Sequence, residues 1–137
     1  MLCPKRTRYR KYQKGKKKLQ KVPKSSDTLQ FGRYGLKSKT NGHLHSTTIE
    51  AVRRVMTRKL KRNGQIWVRI FPDRAASQKP LATRMGKGKG APTYWYVPIY
   101  PGQVLFEMDG IPASLAQQAA GLGASKLPFG AVFVKAD

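Results

Sequence analysis

Apolar residues change their spacing several times along this chain, and each change predicts an element. Between Thr28 and Lys37 the apolar members are Leu29, Phe31 and Leu36, with Gly32 and Gly35 as bends or points of close backbone approach. That stretch predicts a strand pair or an irregular strand. Thr47 and Glu50 form a Thr-x-x-Glu capping box and Asn63-Gly64 a stop signal, bracketing a helix of roughly four turns. Within it Ile49, Val52, Val55, Met56 and Leu60 recur every three to four residues and are predicted to face the core. Arg53, Arg54, Arg58, Lys61 and Arg62 are left outward or flanking.

A strand rich in Ile, Trp and Val, Gln65 to Phe71, follows directly and is closed by Pro72. Tyr94 to Tyr100 and Gln103 to Asp109 read as two more strands, with Pro101-Gly102 between them as a hairpin signal. Pro112 suits the first turn of a second helix reaching about Lys126, with Leu115, Ala116, Ala119 and Leu122 inward and Gly121 and Gly123 weakening it. Gly130 to Lys135 completes the set as a strand. This order predicts an α+β fold, two helices on one side of a mostly antiparallel sheet. Residues 28–137 form one domain with an extended 80–93 loop, and residues 1–27 form a basic N-terminal arm.

Charge changes the picture most. The 137 residues carry 28 Lys or Arg against 6 Asp or Glu, a net +22. Residues 1–90 hold 26 of those cations and 3 acids, while residues 91–137 hold 2 and 3. Self-repulsion on this scale is offset by a polyanion, so nucleic acid is the expected partner. The single thiol, Cys3, excludes a disulfide-stapled fold, and no apolar run approaches the roughly 18 residues of a membrane helix.

Three places concentrate the cations. The first is the arm, where Lys5, Arg6, Arg8, Arg10, Lys11, Lys14 and Lys16 stand around Tyr9 and Tyr12 with no acid before Asp27. Such a segment gains counterion-release free energy between phosphates and can stack tyrosines on exposed bases, ordering when bound. A solvated tail and a mitochondrial presequence are the alternatives, the latter at odds with the Lys-heavy composition and with Pro4, Gly15 and Pro23. The second is the helix face of Arg53, Arg54, Arg58 and Arg62, facing phosphate or simply solvated. The third is Arg84-Met85-Gly86-Lys87-Gly88-Lys89-Gly90, whose glycines let amides as well as ammonium groups reach phosphate oxygens. A nucleotide-hydrolase phosphate loop requires Gly-x-x-x-x-Gly-Lys followed by Ser or Thr, and here Ala91 and Pro92 follow Gly90, which leaves a flexible hairpin tip as the other reading.

Catalytic chemistry has little to work with. Glu107 and Asp109 share one strand face but have no accompanying base or metal ligands, so a local turn at Asp109-Gly110 is their expected role. His43 and His45, with one thiol in the chain, are too few for a zinc site and are expected to face solvent or RNA. No catalytic residue, metal or cofactor is implied.

The segments Met1-Leu2, Pro4-Lys5-Arg6-Thr7-Arg8, Phe31-Gly32, Gly35-Leu36-Lys37, Ile49-Glu50-Ala51 with Arg53-Arg54, Met56-Thr57-Arg58, Ile66-Trp67-Val68-Arg69, Phe71-Pro72-Asp73, Arg84 to Gly90, and Glu107-Met108-Asp109-Gly110 stand in one register. Together they resemble the bacterial and organellar large-subunit ribosomal protein of the L-sixteen family, from Met1 to about Val134. The resemblance implies a fold of the α/β-hammerhead kind and no enzymatic activity. It implies a seat on large-subunit ribosomal RNA beneath the central protuberance, beside the A-site tRNA, with the P-site tRNA and neighbouring ribosomal proteins as further contacts and no membrane. By the same resemblance, the arm from Lys5 to Lys16 and the helix arginines hold rRNA. Arg84 to Gly90 points to the peptidyl-transferase region, and the protein supports late subunit assembly. In bacterial members the arginine at the Arg84 position can be hydroxylated.

His43, His45 and the glycines and glutamines of the second helix depart from the usual pattern. The start of the match at Met1 implies a product that is either bacterial or made inside an organelle, and the segments Tyr12 to Lys16 and Phe31 to Gly35 look more like the mitochondrial versions, though plastid versions share part of them. A ribosome in the mitochondrial matrix is therefore the expected setting, with plastid or bacterial cytoplasm as alternatives. The rival function is a free nucleic-acid chaperone or DNA-compacting protein, which needs charge but no shaped surface.

Overall fold

A computed structural model describes residues 2–13 and 26–136. Lys14 and Lys16 of the predicted RNA-binding arm lie outside the described residues. The elements run β1 (Tyr34–Ser38), β2 (Gly42–His45), α1 (Ser46–Lys59), β3 (Gln65–Val68), β4 (Arg74–Gln78), β5 (Ala91–Ile99), β6 (Val104–Asp109), α2 (Ala113–Ala124) and β7 (Ala131–Lys135). Strands β3-β6-β1-β7 form one sheet and β2-β5-β4 another, with every pairing antiparallel. The fold is α+β, as the element order predicts. Ile49, Val52 and Met56 of α1, Leu60 just after it, and Ala116, Ala119 and Ala120 of α2 share one core with Leu36, Phe106 and Met108. No helix among the described residues is long and apolar enough to cross a membrane.

The strands divide differently from the expectation. Tyr94 to Tyr100 and Gln103 to Asp109 are not a hairpin: β5 pairs with β2 and β4, while β6 pairs with β1 and β3. The Pro101-Gly102 turn instead passes the chain from one sheet to the other. It is fastened to β1 by Gly102 N–H to the Ser38 carbonyl (2.8 Å) and Ser38 N–H to the Gln103 carbonyl (2.9 Å), with Gly102 at φ 85°. A turn signal reports a change of direction, and the free edges of β5 are taken by β2 and β4, two short strands that the pattern does not predict. β4 reads Arg-Ala-Ala-Ser-Gln, without a β-branched or aromatic residue, so propensity is silent there.

Of the predicted Thr28–Lys37 stretch only the part from Tyr34 onward is strand, and β1 runs one residue beyond it to Ser38. Residues before it cross the outer face of the four-stranded sheet. A Cβ on Gly35 would lie 2.5 Å from the Leu29 side chain, and one on Gly32 would lie 2.4 Å from the Met108 carbonyl oxygen. Glycine at both positions is what lets this segment lie flat on the strands beneath.

α1 starts at Ser46 with His45 as its cap and no capping side chain, so the Thr47/Glu50 box does not form. Glu50 turns along the helix to its arginines instead. In α2, Leu122 is 45% exposed rather than inward, and Gly123 faces α1. A Cβ on Gly123 would stand 3.1 Å from Met56 and 3.3 Å from Val52. The glycine that lowers helix propensity is thus the point where the two helices meet, and its neighbour Leu122, about 100° further round, is carried to solvent.

Candidate nucleic-acid interface

On α1 the predicted cations divide into two groups. Glu50 accepts from Arg53 Nη2 at 2.5 Å and Nε at 2.9 Å, and from Arg54 Nε at 3.1 Å. The Arg53 hydrogen bonds, against the opposing effect of burial and with help from Arg54, lower the Glu50 carboxyl to about 2. Its hydrogen bond to Glu50 raises Arg53 in turn. Arg53 and Arg54 are therefore half-neutralised and held in place. Among the described residues no carboxylate pairs with Arg58, Lys61 or Arg62. All six of Arg53, Arg54, Thr57, Arg58, Lys61 and Arg62 line one shallow hollow beside the end of the helix.

The way α1 ends shapes that hollow. After Leu60, Lys61 and Arg62 adopt φ of 51° and 66°, before Gly64 at 71°. An L-residue in this left-handed region costs about 1–2 kcal/mol, and two charged neighbours both occupy it. Lys87, at φ 56°, is the other non-glycine residue in that region among those described. All three are cations at places selected from charge alone, a concentration of backbone strain typical of functional surfaces.

Residues 79–90 connect β4 to β5, whose last pair is Gln78 with Ala91, so the loop is the tip of a hairpin. Arg84 through Lys89 are exposed, with Met85 at 99% and Leu81 at 104%. Gly86, Lys87 and Gly88 take φ of 91°, 56° and 83° in succession, and a Cβ on Gly86 or Gly88 would meet nothing. At the loop's base Gly90 is close-packed, since a Cβ there would fall 2.5 Å from the Gln78 carbonyl oxygen. Lys79 Nζ donates to the Gly86 carbonyl at 2.5 Å.

The arm meets this loop. Lys11 Nζ donates to the Lys89 carbonyl at 2.6 Å, Lys89 Nζ donates to the Tyr12 carbonyl, and the Arg74 guanidinium lies 5.1 Å from the Tyr12 ring centroid. Leu2 packs on the core at the other end. The arm thus touches the domain at Leu2 and at Lys11 and Tyr12. Lys5, Arg6, Arg8 and Arg10 are exposed along it. Arg74 joins this contact between arm and domain although no motif marks it; its register opposite Tyr96 in a strand invisible to propensity is what brings it there.

His43 and His45 are exposed, as expected, and they join an aromatic row on the three-stranded sheet. The His45 ring stacks on Tyr94 at 4.2 Å, and His43 meets Tyr96 edge-on at 5.1 Å. Glu107 departs from expectation. Asp109 does form the local turn, accepting from Gly110 N–H at 2.8 Å. Glu107 is fully buried and accepts from the amides of Gln30 (3.1 Å), Phe31 (2.6 Å) and Gly32 (2.9 Å), and from Arg69 Nη1. Burial alone would raise its carboxyl; the Gly32 and Phe31 amides, Arg69 and the Gln30 amide outweigh it, and the group stays below the usual carboxylate range. Sequence spacing places Glu107 on a strand face but gives no sign of a partner 75 or more residues away.

Among the described residues no three of His, Cys, Asp and Glu stand together as metal ligands. A family model described as "Ribosomal protein L16p/L10e" matches residues 4–134. "Large ribosomal subunit protein uL16" of Aeromonas hydrophila subsp. hydrophila is 50% identical over 134 residues, covering 98% of this chain and 96% of the relative. Its namesake from Aeromonas salmonicida is 49% identical over the same shares. Both relatives are bacterial, and the mitochondrial expectation finds no support in them. The chain belongs to the ribosomal protein L16p/L10e family, and is a structural constituent of the large ribosomal subunit rather than an enzyme.

Proposed function

We propose that the protein holds large-subunit rRNA near the central protuberance through its arm and the α1 face, and carries the Arg84–Gly90 loop toward the A-site tRNA. Lys5, Arg6, Arg8, Arg10, Lys11, Arg58 and Arg62 supply phosphate contacts whose cohesion comes from counterion release. Arg53 and Arg54, pre-positioned by Glu50, supply directional donors. Lys14 and Lys16 extend the same run in sequence. The loop's two lysines and Arg84 help seat an incoming aminoacyl-tRNA, and binding settles the RNA late in assembly. With bacterial relatives, the bacterial cytoplasm is the setting this reading favours.

The observation that carries it is the loop: a glycine-hinged, fully exposed cationic tip, close-packed at its base and clasped by the arm. A free DNA-compacting protein would need no such tip. Changing Arg84, Lys87 and Lys89 together to Ala is expected to leave subunits that assemble but accept aminoacyl-tRNA poorly. Translation unchanged by the triple replacement overturns the loop's role.

A further inference from the structure

We propose that Phe31 is a stacking platform for one unpaired base of ribosomal RNA, separate from the arm, the α1 face and the loop. The inference rests on the reading that this chain binds large-subunit rRNA. Single exposed apolar side chains are common and mean little by themselves. Phe31 differs in how it is held. It is 56% exposed, yet its own amide and those of the residues on either side all donate to the buried Glu107 carboxylate. In the same segment Leu29 occupies the space above Gly35, and Gly32 lies against the Met108 carbonyl.

Two neighbouring groups hold the ring. The Trp67 ring lies 6.1 Å from it at an interplanar angle of 21°, and the Arg69 guanidinium carbon sits 5.2 Å from its centroid. Arg69 is itself fixed by Glu107, by Gln30 Oε1 at 3.0 Å and by the Thr28 carbonyl. More than half of the residue is left open to solvent. Beside it Arg33, whose side chain is 78% exposed, reaches Asp109 at only 3.6 Å and can turn to a phosphate. A held aromatic ring next to an exposed cation matches the two parts of a nucleotide, a base to stack and a phosphate to neutralise. A chain of net charge +22 favours a polyanionic occupant over a second protein.

The test probes deproteinised large-subunit rRNA by 2′-hydroxyl acylation, which reads nucleotide by nucleotide how mobile the strand is, with wild type, Phe31→Leu and Phe31→Trp. Leu keeps an apolar cover on Trp67 and removes the π-face; Trp restores it. Wild type and Phe31→Trp are expected to quiet one or two unpaired nucleotides that Phe31→Leu leaves reactive, with the remaining footprint intact. Affinity for the RNA should fall about ten-fold in Phe31→Leu, the factor equivalent to 1.4 kcal/mol. An identical footprint for all three proteins overturns the platform, and so does a uniform loss in Phe31→Leu at an unchanged urea midpoint. Failure of the wild type to give any footprint overturns the RNA-binding reading itself, which keeps the two failures distinct.

Discussion

A carboxylate withdrawn from water is tolerated only when its lone pairs are used, and Glu107 directs them to three amides and a guanidinium. Removing that charge should therefore unfasten the whole Gln30–Gly32 crossing. Glu107→Gln is expected to lower the unfolding free energy by about 3–5 kcal/mol, the usual cost of breaking one side of a buried pair, read from urea titrations. A drop under about 1 kcal/mol would contradict the anchoring role. The same residue gives stability a pH dependence. Its folded-state carboxyl lies below the unfolded value near 4.3, so its contribution is complete above that value and is lost as pH falls through the depressed folded one. Glu50, lowered to about 2, acts in the same direction. Wild-type stability should fall on acidification below about pH 4.3, and more steeply than that of Glu107→Gln, measured as urea midpoints against pH. Equal slopes would show that Glu107 titrates alike in both states.

Elements impose their own tests. Gly121 and Gly123 both lie in α2 and look alike as helix weakeners, yet a Cβ on Gly121 meets nothing while one on Gly123 meets Met56 and Val52. Gly121→Ala should stabilise by about 0.5–1 kcal/mol through propensity. Gly123→Leu should cost about 1–3 kcal/mol by forcing the helices apart. Thermal unfolding of the two variants reads both, and a shift in the same direction would contradict the close approach of the helices. At the end of α1, Arg62 stands at φ 66°. Arg62→Gly should relieve strain and gain about 0.5–1 kcal/mol of stability, yet weaken RNA binding. Replacing Arg58, Lys61 and Arg62 by Ala should lower the salt slope of rRNA binding by roughly 0.7–0.9 for each phosphate no longer neutralised. The change should exceed that from Arg53 and Arg54, which share Glu50. An unchanged slope would make this face ordinary solvated surface.

For the molecule as a whole, what is legible in the sequence follows from the range of the interactions involved. Periodicity marks α1 and α2 because burial on one face is a local pattern, and short apolar runs mark β6 and β7. It misses β4, whose strand character comes only from pairing with β5, and it joins β5 to β6 because a Pro-Gly turn does not say which sheet each strand enters. Charge runs mark the arm, the α1 face and the loop, since repulsion among like charges is visible without a fold. The clasp of Lys11 and Lys89, the Arg74–Tyr12 pair and the Glu107–Arg69 fixture join residues far apart in the chain, and only topology brings them together.

If the cations are arranged to fit folded large-subunit rRNA, competition binding will show it. Labelled large-subunit rRNA is bound to the intact chain at moderate salt, then challenged with unlabelled rRNA or with duplex DNA of equal phosphate content. A shaped surface predicts displacement by rRNA and persistence against DNA, because A-form geometry and 2′-hydroxyls are absent from the duplex. Equal displacement by both would contradict it.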